Sequence, residues 1–320
     1  MLMHNYALAR CASADNIPQL FMTMGAMGGH MGKSGHACGG AYKTYAGAGG
    51  PALVKFGETG LPATKNALAD TMPEPLMWQC IREGRYNSTG AAYGVNFNAE
   101  DIKETEFKWL NIEGRNTLQT AVGLSDAREA IQKLDFVTDL AYTFDTSAAY
   151  ADIVLPCATE WERVGGFAGH QRSRETVVVY SRVTEPLWEA KTEFEIGRML
   201  AARLGMDPDE LWPITEEQAF FNQIVGCTYV DAAGEEKPLV TITADDIAKW
   251  GVDAEPQEGD IALDDFLSAG CYTVKRAEGD GYSYIGYKDF VDDPEANPRE
   301  SASGKLEIYC QYKGDMLNSM

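Results

Sequence analysis

Apolar and polar positions follow two different rhythms between residues 107 and 156. "FKWLNIEGRN" (107–116) reads as a strand running into a glycine turn, and "FVTDLAYTF" (136–144) as a second strand. Between them, "LSDAREAIQKL" (124–134) has helical spacing, with Ser125 as the expected N-cap. "SAAYA" forms a short helix, and "DIVLP" is a third strand that Pro156 ends. Strand, helix, strand, helix, strand with connections this short predicts a parallel α/β sheet.

The flanks extend the pattern. "IPQLFMTMGAM" (17–27) is an apolar helix with Pro18 in its first turn. "GGHMGKSGHACGG" (28–40) must be a turn-rich loop; the glycines follow a helix instead of preceding one, which is the wrong order for a phosphate loop. Residues 74–86 read as a helix stopped by Gly84. "ETVVVYSRV" (175–183) is a valine-rich strand. "TEFEIGRMLAARLG" (192–205) is an amphipathic helix with Thr192 as cap, Glu193 and Glu195 in its first turn, and Gly205 as its stop. Short helices follow near 216–224, 244–249 and 263–269, and "SGKLEIYC" predicts a closing strand. The expected fold is a doubly wound, mostly parallel sheet with helices on both faces over 1–205. An irregular, loop-rich α+β extension follows over 206–320.

Composition narrows the function. The 320 residues are 45% hydrophobic, enough for a sizeable core. A formal net charge of −21 disfavours phosphate backbones and anionic lipid, so nucleic acid is not an expected partner. The seven cysteines form no CxxC pair, so neither a zinc ribbon nor an iron–sulfur motif is present in this stretch. No run is long and apolar enough for a membrane-spanning helix, and the start lacks the order of a signal peptide.

In a doubly wound sheet, ligands bind beyond the carboxyl ends of the strands. Two strand ends carry suitable groups. Gly114 allows close backbone approach and Asn116 can donate and accept; after the third strand, Arg163 can pair with a diphosphate or with a neighbouring glutamate. His30 and His36 flank the glycine loop without a carboxylate or cysteine at metal spacing on one element, so no metal ligand is assigned. No Ser/His/Asp signature occurs, and no self-contained catalytic apparatus is visible.

"YADIVLPCATEWERVGGFAGHQRSR" (150–174) resembles the signature of the molybdopterin oxidoreductases of the dimethyl sulfoxide reductase family, "yADivLP.at..Er.g.....R". Four further segments are similar to that family and stand in its order: "GAMGGHMGKSG", "WLNIEGRNTLQT", "EPLWEAKTEFEIGRMLAARLG" and "YKDFVDDPEANPRESASGKLEIYC". The resemblance implies molybdenum held by two pyranopterin guanine dinucleotides, Mo-bis(molybdopterin guanine dinucleotide), and two-electron or oxygen-atom transfer on a sulfoxide, N-oxide or related small molecule. It also implies an iron–sulfur electron-transfer subunit, a membrane anchor subunit, and export through the twin-arginine route to the periplasmic side.

Carried over by position, the resemblance implies cofactor contacts at Tyr6, Arg10, Gly114, Asn116, Asp139, Arg163 and Glu193. The family's strand-end aspartate aligns near Ala141, and Asp139 is its substitute on the same strand face. Glu193 replaces an aspartate and keeps the acceptor on a longer arm, while Gly-Arg-Asn-Thr replaces Gly-Gly-Asn-Pro. Cys157 lies inside the motif but not where the family places its metal ligand, so no metal residue is assigned. The family's cysteine cluster and barrel domain have no counterpart here. The sequence therefore reads as a central segment of a catalytic subunit that contributes part of a cofactor pocket. The alternative is a split-gene product that binds cofactor or assembles without activity of its own.

Overall fold

The computed structural model describes residues 2–4, 16–36, 38–40, 52–72, 74–90, 98–168, 174–309 and 311–318. Its first elements are β1 (Leu2–His4), α1 (Asn16–Met27), β2 (Cys38–Gly40), β3 (Val54–Lys55), α2 (Met77–Glu83), β4 (Arg85–Asn87) and β5 (Ile102–Glu104). The middle of the chain carries β6 (Trp109–Glu113), α3 (Thr117–Thr120), α4 (Leu124–Ile131), β7 (Phe136–Ala141), β8 (Ile153–Pro156), β9 (Gly165–Phe167), β10 (Thr176–Ser181) and α5 (Glu193–Arg203). Then come α6 (Pro208–Leu211), α7 (Glu216–Val225), β11 (Thr228–Val230), β12 (Glu236–Pro238), β13 (Val240–Thr241) and α8 (Ala244–Trp250). The last are β14 (Ile261–Ala262), α9 (Leu263–Ala269), β15 (Cys271–Thr273), α10 (Lys288–Asp292) and α11 (Gln311–Asn318).

The chain divides into two compact units. One comprises Met1–Thr59, Gly166–Tyr180 and Glu217–Gln311; the other comprises Gly60–Gly165, Ser181–Glu216 and Tyr312–Met320. The second unit holds the parallel sheet β6-β7-β8 in sequential order. Central β7 is buried from Val137 to Leu140, as expected of a strand covered on both faces. On one side, Trp78 and Ile81 of α2 and Ala127, Ala130 and Ile131 of α4 pack with Ile112 and Val137. A second cluster joins Leu140 and Cys157 to Ile196, with Leu155 and Leu200 against it, so α5 packs on this sheet too.

Asp152 fixes how β8 enters the sheet. Its amide donates to the Val137 carbonyl at 2.8 Å, and its carboxylate accepts from the Val137 amide at 2.7 Å. The motif's aspartate is thus a register clamp. Thr192 caps α5 through a capping box with Glu195, and its hydroxyl also donates to Glu216 at 3.0 Å.

The first unit is built from smaller sheets: β1-β2, β3-β11-β12, β9-β10-β15 and β13-β14. Its core is aromatic, with Phe56 stacked on Phe167 at 4.8 Å and Phe220 and Phe266 also against Phe167.

Three expectations change. Among the described residues the fold is α/β as expected, but mixed, with one three-stranded parallel sheet and several small sheets, and it is not clearly doubly wound; β6-β7-β8 stand in sequential order. Ser125 does not cap α4. Gly123, at φ 81°, is the N-cap, so the helix starts at Leu124 and Ser125 already lies inside it. The predicted strand at "SGKLEIYC" is absent among the described residues. There Ser301 donates to the Lys305 carbonyl at 2.7 Å, and the Ser303 amide and hydroxyl donate to Glu307 at 3.0 Å, so local bonds replace a ladder.

Candidate functional site

The carboxyl ends of β6, β7 and β8 define the site, all within the second unit. After β6 the chain turns at Gly114, whose φ of 60° favours glycine, and enters α3 through Asn116. After β7 it forms a loop through Tyr142, Thr143 and Asp145. These two loops and the end of β7 line a cavity of about 110 Å³ that includes Gly114, Arg115, Asn116, Asp139 and Asp145.

A hydrogen-bonded network ties the two loops together. The hydroxyl of fully buried Ser147 donates to Asn116 Oδ1 at 2.9 Å and accepts from the Leu118 amide at 3.0 Å. Asn116 Nδ2 donates to Gln119 at 2.9 Å, while Asp145 Oδ1 accepts from the Ser147 and Ala148 amides at 2.8 and 3.1 Å. Asn116 therefore positions its own loop with both ends of its amide.

Asp139 is 2% exposed, and its Oδ2 has no hydrogen-bond partner. Burial pushes its carboxyl up to about 6, with the nearby Asp145 charge adding to the shift. An ionisable group buried with one oxygen unpaired is costly unless a ligand or proton meets it.

The loop after β8 is organised by a second buried acid. Glu162, 6% exposed, accepts from the Thr159 amide at 2.8 Å, the Thr159 hydroxyl at 2.9 Å and the Leu187 amide at 3.1 Å. Those bonds, led by the Thr159 amide, hold its carboxyl below the ordinary glutamate value. With Glu162 engaged there, Arg163 turns to Glu193 at the start of α5 and donates to it through Nη2. Arg163 Nη2 also reaches the Ala158 carbonyl at 3.5 Å, while its Nε is buried without a partner. Cys157 sits among these groups. Burial raises its thiol first, with Glu193 and Asp139 adding to the rise and Arg163 opposing it.

The structure thus brings Gly114, Asn116 and Asp139 around one cavity, and joins Arg163 to Glu193. Tyr6 and Arg10 lie outside the described residues. Sequence reasoning did not single out Ser147, Asp145 or Glu162. The acids' bonds to nearby loop amides follow turn logic, whereas Ser147 joins Asn116 across 31 positions. Among the described residues no group of three or more His, Cys, Asp or Glu side chains is arranged to hold a metal. No helix among them is long and apolar enough to cross a membrane.

The family model described as Molybdopterin oxidoreductase matches residues 7–203, more than half of the chain and all of this site. The chain belongs to the molybdopterin oxidoreductase family. A trimethylamine-N-oxide reductase of Vibrio vulnificus (strain YJ016) is 23% identical over 78% of this chain and 26% of its own length. A dimethyl sulfoxide/trimethylamine N-oxide reductase of Rhodobacter capsulatus is 25% identical over 97% of this chain and 35% of its own. Dimethyl sulfoxide reductase DmsA of Escherichia coli (strain K12) is 24% identical over 80% of this chain and 28% of its own. The chain spans roughly a quarter to a third of the length of these relatives. Among solved structures, acetylene hydratase from Pelobacter acetylenicus aligns over 74% of this chain and 24% of its own, with 18% identity and a TM-score of 0.41.

Proposed function

We propose that this chain forms part of the pocket of a molybdenum–bis(molybdopterin guanine dinucleotide) oxidoreductase acting on a sulfoxide, N-oxide or related small molecule. The observation that supports it best is a pair of buried, unpartnered polar atoms of opposite hydrogen-bonding sense, Asp139 Oδ2 and Arg163 Nε. A guanine dinucleotide offers matching groups: ring and amino N–H and ribose hydroxyls for a carboxylate, and diphosphate oxygens for a guanidinium. The residues present therefore fit the cofactor's dinucleotide end. Asp139 would accept from a base or sugar donor, Arg163 would donate to the diphosphate, and Glu193 would share its carboxylate between Arg163 and the guanine edge. Gly114 leaves the backbone open, since a Cβ there would meet nothing within 4 Å.

When bound, the cofactor supplies two-electron, oxygen-atom-transfer chemistry. In this reading the residues of this chain grip and orient the cofactor's nucleotide tail and carry no redox step. An iron–sulfur subunit and a membrane anchor, with a periplasmic location, complete the proposal by analogy with the family.

The test is to produce the chain in a host that makes the cofactor and measure GMP released by acid hydrolysis of the purified protein. The expected result is retained GMP that falls in Asp139→Asn and Arg163→Ala. Absence of GMP from the wild-type chain, or equal retention in both variants, counts against the proposal.

A further inference from the structure

Among the described residues no large apolar side chain is more exposed than Trp188, at 95%, and its backbone stands at φ 53°. A bulky residue in the left-handed region is strained, and such strain persists only where the surroundings impose it. Here the turn is clamped on both sides. The Leu187 amide donates to buried Glu162 at 3.1 Å, and the Ala190 amide donates to the Leu187 carbonyl at 3.0 Å. Lys191 then locks onto the end of β8. Its amide donates to the Pro156 carbonyl at 3.2 Å, and its carbonyl accepts from the Ala158 amide at 2.8 Å. A rigid turn thus holds an indole out in solvent.

A hole lies beside this knob. Glu189 and Lys191 of the same turn line a cavity of about 480 Å³, whose walls are Ile153 and Leu155 of β8 with Ile196, Met199 and Leu200 of α5. Its volume suits a large aromatic group, and its walls are apolar. Its rim is open to solvent, with Ile153 and Met199 at 46% and 41% exposure. Arg203, the last residue of α5, also lines it; among the described residues its guanidinium donates only to the Met199 carbonyl, at 3.2 Å in its own helix. Glu189 has no ion pair among the described residues. All of these residues belong to the second unit. We propose that this face pairs two copies of the chain about a two-fold axis, with Trp188 of each copy filling the cavity of the other. A single face that carries both a knob and its hole meets the requirement of an isologous contact. The charges match in the same sense, since Glu189 arrives with Trp188 and Arg203 of the receiving copy supplies its cation. Trp is also the residue type that most often anchors such a contact. The cavity shares no lining residue with the one at the carboxyl ends of β6 and β7, and the pairing does not rest on the cofactor reading.

The test is sedimentation equilibrium of the full chain, comparing wild type with Trp188→Ser, which removes the knob, and Met199→Arg, which blocks the hole. The wild type is expected to be a dimer that dissociates between about 1 and 100 μM, and each variant a monomer over that range. Unchanged thermal melts confirm that the variants keep the fold. If Met199→Arg melts early, Ile153→Lys at the exposed rim takes its place. An equimolar mixture of the two variants should regain part of the association, because one keeps the hole and the other keeps the knob. A wild type that is monomeric throughout, a dimer that survives either substitution, or a mixture that stays monomeric overturns the proposal.

Discussion

Arg163 donates through Nη2 to Glu193, 30 positions further along, and leaves its Nε buried without a partner. The pair joins the loop after β8 to the first turn of α5. Both side chains are about one-quarter to one-third exposed, at 29% and 27%, so removing Arg163 should cost on the order of 1–3 kcal/mol, between the exposed and buried limits. Arg163→Lys should recover stability but not dinucleotide binding, because a point charge cannot serve Glu193 and a diphosphate at once. Denaturant melts and GMP retention on the same variants separate the two effects.

Asp139 makes stability fall as pH rises. Its folded carboxyl sits near 6 against an ordinary 3.8, so the native state holds its proton over a window where the unfolded chain has lost it. Stability from this group is full below about pH 4 and is lost by about pH 6, by roughly 3 kcal/mol at most. Asp139→Asn should remove that slope and be more stable than wild type at pH 7. Urea melts of both proteins from pH 4 to 7 check it; parallel curves would show that Asp139 titrates normally.

Ser147 should behave as a structural residue despite its place beside the cavity. Ser147→Ala leaves the Leu118 amide and Asn116 Oδ1 without their buried partner, which should cost about 1–3 kcal/mol. Amide exchange at Leu118 should speed up in the variant. Unchanged exchange would mean that the two loops are held by other contacts.

Thr192→Ala removes the capping box of α5 and the bond to Glu216, with an expected loss of about 1–2 kcal/mol. Thr192→Ser should restore most of it. Thermal melts of the three proteins give the comparison.

Local pattern carried much of this in the sequence. Helices α1, α5 and α9, and strands β6, β7 and β8, fall where periodicity and punctuation put them, because each rests on local spacing and end signals. Asn116 and Arg163 were legible as polar groups at strand ends. Their pairings were not: Ser147 went unnoticed and Glu193, though a candidate contact, was not tied to Arg163, because they stand 31 and 30 residues away and only the packed sheet makes them neighbours. The small sheets of the first unit were equally hidden. β3 pairs with β11 and β10 with β15 across long separations, with strands of two to six residues that carry little pattern. The contact between the His30 and His36 rings was not legible, because the five loop residues between them have no fixed period; left-handed Gly32 and Gly35 fold the loop back so that the rings meet.

The central claim is that the carboxyl edge of β6-β7-β8 grips the guanine diphosphate end of a pterin dinucleotide. Calorimetric titration of the chain with GDP and, separately, ADP tests it most directly. GDP should bind more tightly than ADP, and Asp139→Asn and Arg163→Ala should each weaken GDP by about tenfold, the loss of one charge-assisted bond. Equal binding of GDP and ADP, or GDP affinity untouched in both variants, would contradict the account.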